Sequence, residues 1–167
     1  MEYLLLLWVL AILALTRAAT PRAMLYAYGF QALCLFWNAV LFRASDGVES
    51  LRVLPWMAVF FVLVCAPSLL LLWLQGTREK ASRRIRAFRP GPVSLCAALA
   101  AALCYVLLDW QQPFTLGRDF LACSAALAAA GLCLLGRAQS LSVRLAGGGS
   151  LVGALWMAAL VLGKVPL

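Results

Sequence analysis

The chain has 167 residues, of which 65% are apolar and only 12% charged, with a mean hydropathy of +0.96. A soluble domain is roughly half apolar, so this is the composition of an integral membrane protein. A net charge of +8 without aromatic-interleaved basic grooves or a zinc-finger spacing excludes nucleic acid as the partner, and the lack of histidine disfavours histidine-held haem, Cys/His zinc sites and Ser/His/Asp catalysis.

Hydrophobic runs long enough to cross about 30 Å of hydrocarbon at about 1.5 Å per residue recur at about 3–16, 23–42, 53–74, 93–109, 119–136 and 145–165. They predict an all-α, polytopic helical bundle of six spans, in one transmembrane domain covering residues 1–167. The longest polar stretch, residues 75–92, is 18 residues long, too short for a separate soluble module.

The first run is short for a span, and Met1 to Thr16 followed by Arg17-Ala18-Ala19 also has the length of a signal peptide. Glu2, where a signal peptide carries Lys or Arg, favours the span. The second run is the most polar: Tyr28, Gln31 and Asn38 fall on one helical stripe with Leu35 between them. Such a stripe faces protein in a membrane, either as interhelical hydrogen bonding or as the lining of a wet path or a subunit contact.

Pro67 lies inside the third run, where a missing amide and the ring predict a helix kink. Broken helices mark ion sites in some transporters, but the flanking Phe60 to Val64 and Leu69 to Leu72 offer no liganding group. The polar stretch that follows holds Arg78, Lys80, Arg83, Arg84, Arg86 and Arg89. It reads as a topology signal and as a basic cuff suited to anionic lipid or an acidic partner. Pro90, Gly91 and Pro92 are expected to break any helix ahead of the fourth span.

The fourth and fifth runs are rich in alanine, at Ala97 to Ala102 and Ala125 to Ala130, and the sixth opens with Gly147-Gly148-Gly149-Ser150, with Gly149 and Gly153 in GxxxG register. Small residues let helix backbones approach, so these are expected packing faces; the glycine run lacks the Lys-Ser/Thr of a phosphate loop. Trp56, Trp73, Tyr105 and Trp110 lie near span ends as interfacial belts. The six cysteines, Cys34, Cys65, Cys96, Cys104, Cys123 and Cys133, all sit in hydrophobic runs with no CxxC and read as packing residues. No metal and no cofactor is expected.

If the basic stretch is cytoplasmic, alternation of the spans brings Arg17, Arg22, Arg137 and Arg144 to the same side. Ten of the fourteen basic residues are then inside, and both termini face outward. Between Asn38 and Gly153 no acidic side chain is predicted to sit deep in the bilayer. Embedded carboxylates and lysines are the usual carriers of protons and ions, so the chain is expected to pack and to hold partners rather than to catalyse.

Three stretches, Tyr26-Ala27-Tyr28-Gly29-Phe30-Gln31-Ala32, the hydrophobic third run with Pro67, and Leu132 to Arg137 leading through Ser140-Leu141-Ser142 to Gly147, carry a resemblance. In their order they resemble the E-type membrane subunit of the hydrogenase-4 family of energy-converting hydrogenases, related to the K subunit of respiratory complex I. That family has a lysine shortly before the proline and a Glu-Asn-Gly element in the last helix; here Val62 takes the first position and Val152 and Gly153 the second. The resemblance implies a small subunit of the bacterial cytoplasmic membrane, wedged between antiporter-like and quinone- or hydrogenase-proximal subunits. Redox cofactors would belong to those partners.

The expected function is therefore that of a non-catalytic accessory subunit in a membrane complex that couples electron transfer to ion translocation. Two rivals are open at this stage. One is a small transporter or channel for a weakly polar solute, lined by Gln31 and Asn38. The other is an enzyme for lipid-soluble substrates centred on Asp109, Arg118 and Asp119.

Overall fold

The computed structural model describes residues 2–18, 20–45, 53–78, 90–108, 115–137 and 141–162. Among them every regular element is helical: α1 (Glu2–Arg17), α2 (Pro21–Ser45), α3 (Val53–Phe60), a π-helical turn (Phe61–Cys65), α4 (Ala66–Arg78), α5 (Pro90–Leu108), α6 (Thr115–Arg137) and α7 (Leu141–Val161). Three stretches are long and apolar enough to cross a membrane, Arg22–Leu41, Gly117–Gly136 and Leu141–Val161, and the apolar stretches Leu5–Arg17, Met57–Leu71 and Gly91–Leu107 are shorter. The protein is a helical membrane protein.

Local chemistry sets the helix ends. Thr20 caps α2, its Oγ1 accepting the Ala23 backbone N–H at 3.2 Å, and Pro21 fills the first helical position, where a backbone donor has no intrahelical partner. Pro90 and Pro92 act in the same way at α5. They lie in its first turn, so the helix starts three residues earlier than the sequence suggests. Proline is tolerated in a first turn because its missing N–H would find no acceptor there.

The helices α5, α6 and α7 run antiparallel in turn. Gly117 lies against Val161 while Gly131 lies against Gly147 and Leu151, which fixes α6 and α7 in opposite directions; Tyr105 meets Asp119 across α5 and α6. The alternation brings Arg17, Arg22 and Arg144, all exposed, to one end of the bundle.

The interior holds two apolar clusters, the smaller towards that basic end. Trp8, Leu35, Met57, Phe60, Phe120, Leu127 and Met157 belong to the larger part, and Leu15, Met24, Tyr28, Leu134 and Val143 to the smaller. Aromatic pairs tie the helices together: Phe60 stacks on Trp156 at 5.4 Å, Phe36 meets Phe61 edge-on at 5.4 Å, and Trp8 approaches Phe120 at 6.4 Å. Outside, Val62, Leu63 and Leu70 and, on α5, Leu95, Leu99 and Val106 are exposed, as helices facing lipid tails require.

Candidate functional site

The polar stripe of α2 is built into the bundle interior. Tyr28, Gln31 and Asn38 are each buried, and Tyr28 and Gln31 meet α7 at its glycine face. A Cβ on Gly149 would overlap the Tyr28 hydroxyl and ring, and a Cβ on Gly153 would lie 3.2 Å from Leu35 Cδ1 and 3.9 Å from Gln31 Nε2. The two features that the sequence suggests separately are thus the two halves of one α2–α7 contact. Glycine at both positions lets the bulkier α2 side chains seat against bare backbone.

Two buried polar side chains bond carbonyls of their own helices. Asn38 Nδ2 donates to the Cys34 carbonyl oxygen at 2.7 Å, and the buried Ser124 hydroxyl donates to the Phe120 carbonyl oxygen at 2.8 Å. In hydrocarbon this satisfies a polar group without a partner helix. The Tyr28 hydroxyl lies beside Cys65 and Ser68, yet among the described residues neither it, nor Gln31 Oε1, nor Ser150 Oγ makes a hydrogen bond of standard geometry.

Tyr28 reaches Cys65 at the end of the π turn. That turn closes just ahead of Pro67, with the Ala66 backbone N–H bonded to the Phe61 carbonyl oxygen five residues back. Proline at 67 has no N–H for the Leu63 carbonyl and its ring crowds that group; widening the preceding turn relieves both. The disturbance that the sequence places at Pro67 is thus taken up over 61–65. Val62 is exposed in this turn, as is Val152 on α7.

A second feature involves three other helices. α1, α5 and α6 enclose a groove of about 560 Å³. Its α1 wall is Leu6, Val9 and Leu13, and its floor is small: Ala97, Ala98 and Ala101 on α5, with Ala122 and Ala126 on α6. Parts of both alanine-rich runs, expected as packing faces only, therefore shape a trough. The polar groups on its wall are Ser94 near one end and Tyr105 with Asp119 at the other.

At that end the Tyr105 hydroxyl donates to the Asp119 carboxylate, and the Arg118 guanidinium lies over the Tyr105 ring, 5.1 Å from its centroid. The sequence grouped Asp119 and Arg118 with Asp109 but missed Tyr105, which reads from sequence as a belt aromatic. Its helical phase against α6 is what brings it in.

No family model, curated protein or solved structure matches this chain.

Of the basic stretch, Arg78 ends α4, while Lys80, Arg83, Arg84, Arg86 and Arg89 lie outside the described residues, as do Asp109 and Trp110. Among the described residues no group of three His, Cys, Asp or Glu side chains is placed to hold a metal ion. Cys34 and Cys65 are buried and Cys96 is exposed. Trp73, near the end of α4, is exposed.

Proposed function

We propose that this chain is a non-catalytic accessory subunit of a multisubunit energy-converting membrane complex of the hydrogenase-4 or complex I type, in which partner subunits carry the redox cofactors and move the ions. In this reading it crosses the bacterial cytoplasmic membrane six times, with both termini outward and the basic stretch of Arg78 to Arg89 inside.

The observation that carries the reading is the use made of the α2 stripe. Tyr28, Leu35 and Gln31 are pressed against Gly149 and Gly153 of the same chain, so the most polar span serves internal packing. The positions that the resemblance aligns with the family's lysine and glutamate, Val62 and Val152, lie on outward faces, where contact with a neighbouring subunit or lipid is made.

The test is purification of a tagged copy from native membranes in mild detergent, with mass spectrometry of what elutes. Stoichiometric antiporter-like, quinone-binding or metal-cluster subunits are expected; elution alone or as a homo-oligomer would sink the proposal.

One observation favours transport of a weakly polar solute instead. Among the described residues Tyr28 Oη, Gln31 Oε1 and Ser150 Oγ are buried without a hydrogen bond of standard geometry, and a polar group left so at depth is costly unless something visits it. That reading predicts uptake by the purified chain in vesicles, abolished by Gln31→Leu combined with Asn38→Leu.

A further inference from the structure

We infer that the outward face of α2 is a site for an anionic phospholipid of the phosphatidylglycerol kind. Its phosphate lies at Arg22, its ester region at Tyr26, and an acyl chain along Phe30 and Leu33.

Helical geometry lays the site out. At about 100° per residue, Arg22, Tyr26, Phe30, Leu33 and Trp37 fall within an arc of about 80° on α2, and all five are exposed. Tyr28, Gln31, Leu35 and Asn38 occupy the opposite face and are buried. α2 therefore carries two stripes, one turned into the bundle and the other towards the membrane.

Along the outer stripe the chemistry changes in the order in which a phospholipid changes. A cation comes first, a phenol one turn later, and apolar side chains after that. Arg22 and Leu33 are eleven residue steps apart within one helix, or about 16 Å, and the stretch able to cross a membrane begins at Arg22. That length is about half of the roughly 30 Å hydrocarbon core, the depth of one leaflet. Tyrosine belongs at headgroup level. Tyr26 is 74% exposed, its side chain tilts towards the amino end of the helix as helical side chains do, and a phenol can donate to a phosphate or ester oxygen.

Charge selects the headgroup. Arg22 stands in the first turn of α2, where a cation opposes the helix dipole, and no acidic side chain shares that turn. Arg17, the last residue of α1, and Arg144, the fourth of α7, are exposed at the same end. Among the described residues the carboxylates are Glu2 and Asp119, near the starts of α1 and α6 at the other end, while Glu79 lies outside those residues. A phosphate without an ammonium meets only cations here, and guanidinium matches it in shape as well as in charge. An amine-bearing headgroup would bring its own cation among arginines. An acidic loop of another protein would satisfy the arginines alone; the residues that carry the stripe on into the membrane call for a ligand with a tail. The site serves whichever leaflet meets the basic end.

The experiment uses the full chain in detergent. Melting temperature and native mass spectra are recorded with phosphatidylglycerol, phosphatidylcholine, phosphatidylethanolamine and inorganic phosphate added in turn. Phosphatidylglycerol alone should be retained and should raise the melting temperature. In phosphatidylcholine vesicles, phosphatidylglycerol with a photoreactive group at mid-chain should label α2 around Phe30 and Leu33. Arg22→Gln should weaken retention about fivefold and remove most of the thermal shift. Without lipid it should melt no lower than the parent, because the charge it removes opposes the helix dipole. Arg43→Gln, the same charge change near the far end of α2, should alter neither retention nor shift.

Equal losses from Arg22→Gln and Arg43→Gln would overturn the proposal, since overall charge would then account for binding. So would labelling spread evenly round the bundle, a response to inorganic phosphate as large as that to phosphatidylglycerol, or equal retention of the three lipids. In native membranes a photoreactive residue at position 33 should capture lipid; capture of another protein's helix, or of a second copy of this chain, would overturn it equally.

Discussion

Gly131 and Gly147 meet backbone to backbone: a methyl group on Gly131 would lie 2.8 Å from the Gly147 carbonyl oxygen, and one on Gly147 would lie 2.9 Å from that of Gly131. The contact joins α6 and α7 where each lacks a side chain, and the obstructing atoms are main chain and the Cβ atoms of Leu134 and Leu151. Neither helix can yield by a rotamer change. Close backbone approach of this kind supplies dispersion contacts that lipid cannot replace.

Gly147→Ala should therefore destabilise the protein by about 1–3 kcal/mol, the usual cost of overpacking, read as a lower melting temperature in detergent. Gly148, one residue on, meets nothing within 4 Å among the described residues, so Gly148→Ala should stay within about 1 kcal/mol of the parent, on the stable side because alanine favours helix. Equal effects at 147 and 148 would contradict the α6–α7 packing.

A related prediction concerns Tyr28. Gly149→Ala should be destabilising because its methyl group would meet the Tyr28 hydroxyl and ring, which are buried and hemmed in by Cys65 and Ser68. Tyr28→Phe removes the nearest of those atoms. Since that hydroxyl makes no standard hydrogen bond, Tyr28→Phe alone should change stability by under about 1 kcal/mol, and Gly149→Ala should cost less in its background. The coupling is measured with the four proteins of a double-mutant cycle and is expected between about 0.5 and 3 kcal/mol; strict additivity would place Tyr28 elsewhere.

These contacts show what sequence can and cannot carry. Periodicity marked Tyr28, Gln31 and Asn38 as one stripe and Gly149 and Gly153 as one face, because each set repeats at helical spacing. It did not pair them, since pairing depends on which helices become neighbours. Three consecutive glycines at 147–149 looked alike in sequence, but about 100° of rotation per residue sends Gly147 to α6, Gly149 to α2 and Gly148 to neither. The groove was hidden for a similar reason. Alanine promises close packing wherever it occurs, and only the placement of α1 against α5 and α6 leaves some of those alanines lining a space.

Trp8 and Phe120 anchor α1 to α6. Both are almost wholly buried, with rings tilted at 43°, so Trp8→Ala or Phe120→Ala should each cost about 3–5 kcal/mol, with the double variant short of the sum. The Trp8 indole N–H has no hydrogen-bond partner among the described residues. Leaving a donor unpaired in the interior is itself unfavourable by about 1–3 kcal/mol, so Trp8→Phe gives up ring area but removes that donor, and should cost far less than Trp8→Ala. Similar losses for Phe and Ala at position 8, by unfolding in mixed detergent, would mean that the indole N–H is bonded.

Pro67→Ala tests what holds the π turn open. Alanine restores an N–H that the Leu63 carbonyl can accept, so if proline alone dictates the wider turn, residues 61–65 revert to α-helix. Closing the turn would rotate α3 by about 100° relative to α4. Phe60 would then leave Trp156, with which it stacks at 5.4 Å and 26°, and Phe61 would leave Phe36; on the other side Cys65 would shift from Tyr28 and Leu69 from Gly29. One regained hydrogen bond, worth about 1 kcal/mol, does not offset the loss of two aromatic pairs at about 0.5–1.5 kcal/mol each together with the packing around Tyr28. The turn should therefore survive in Pro67→Ala, with backbone chemical shifts of residues 61–66 in reconstituted protein matching those of the parent, and a shift pattern of regular α-helix there would show that proline, rather than tertiary packing, sets the register of α3 on α4.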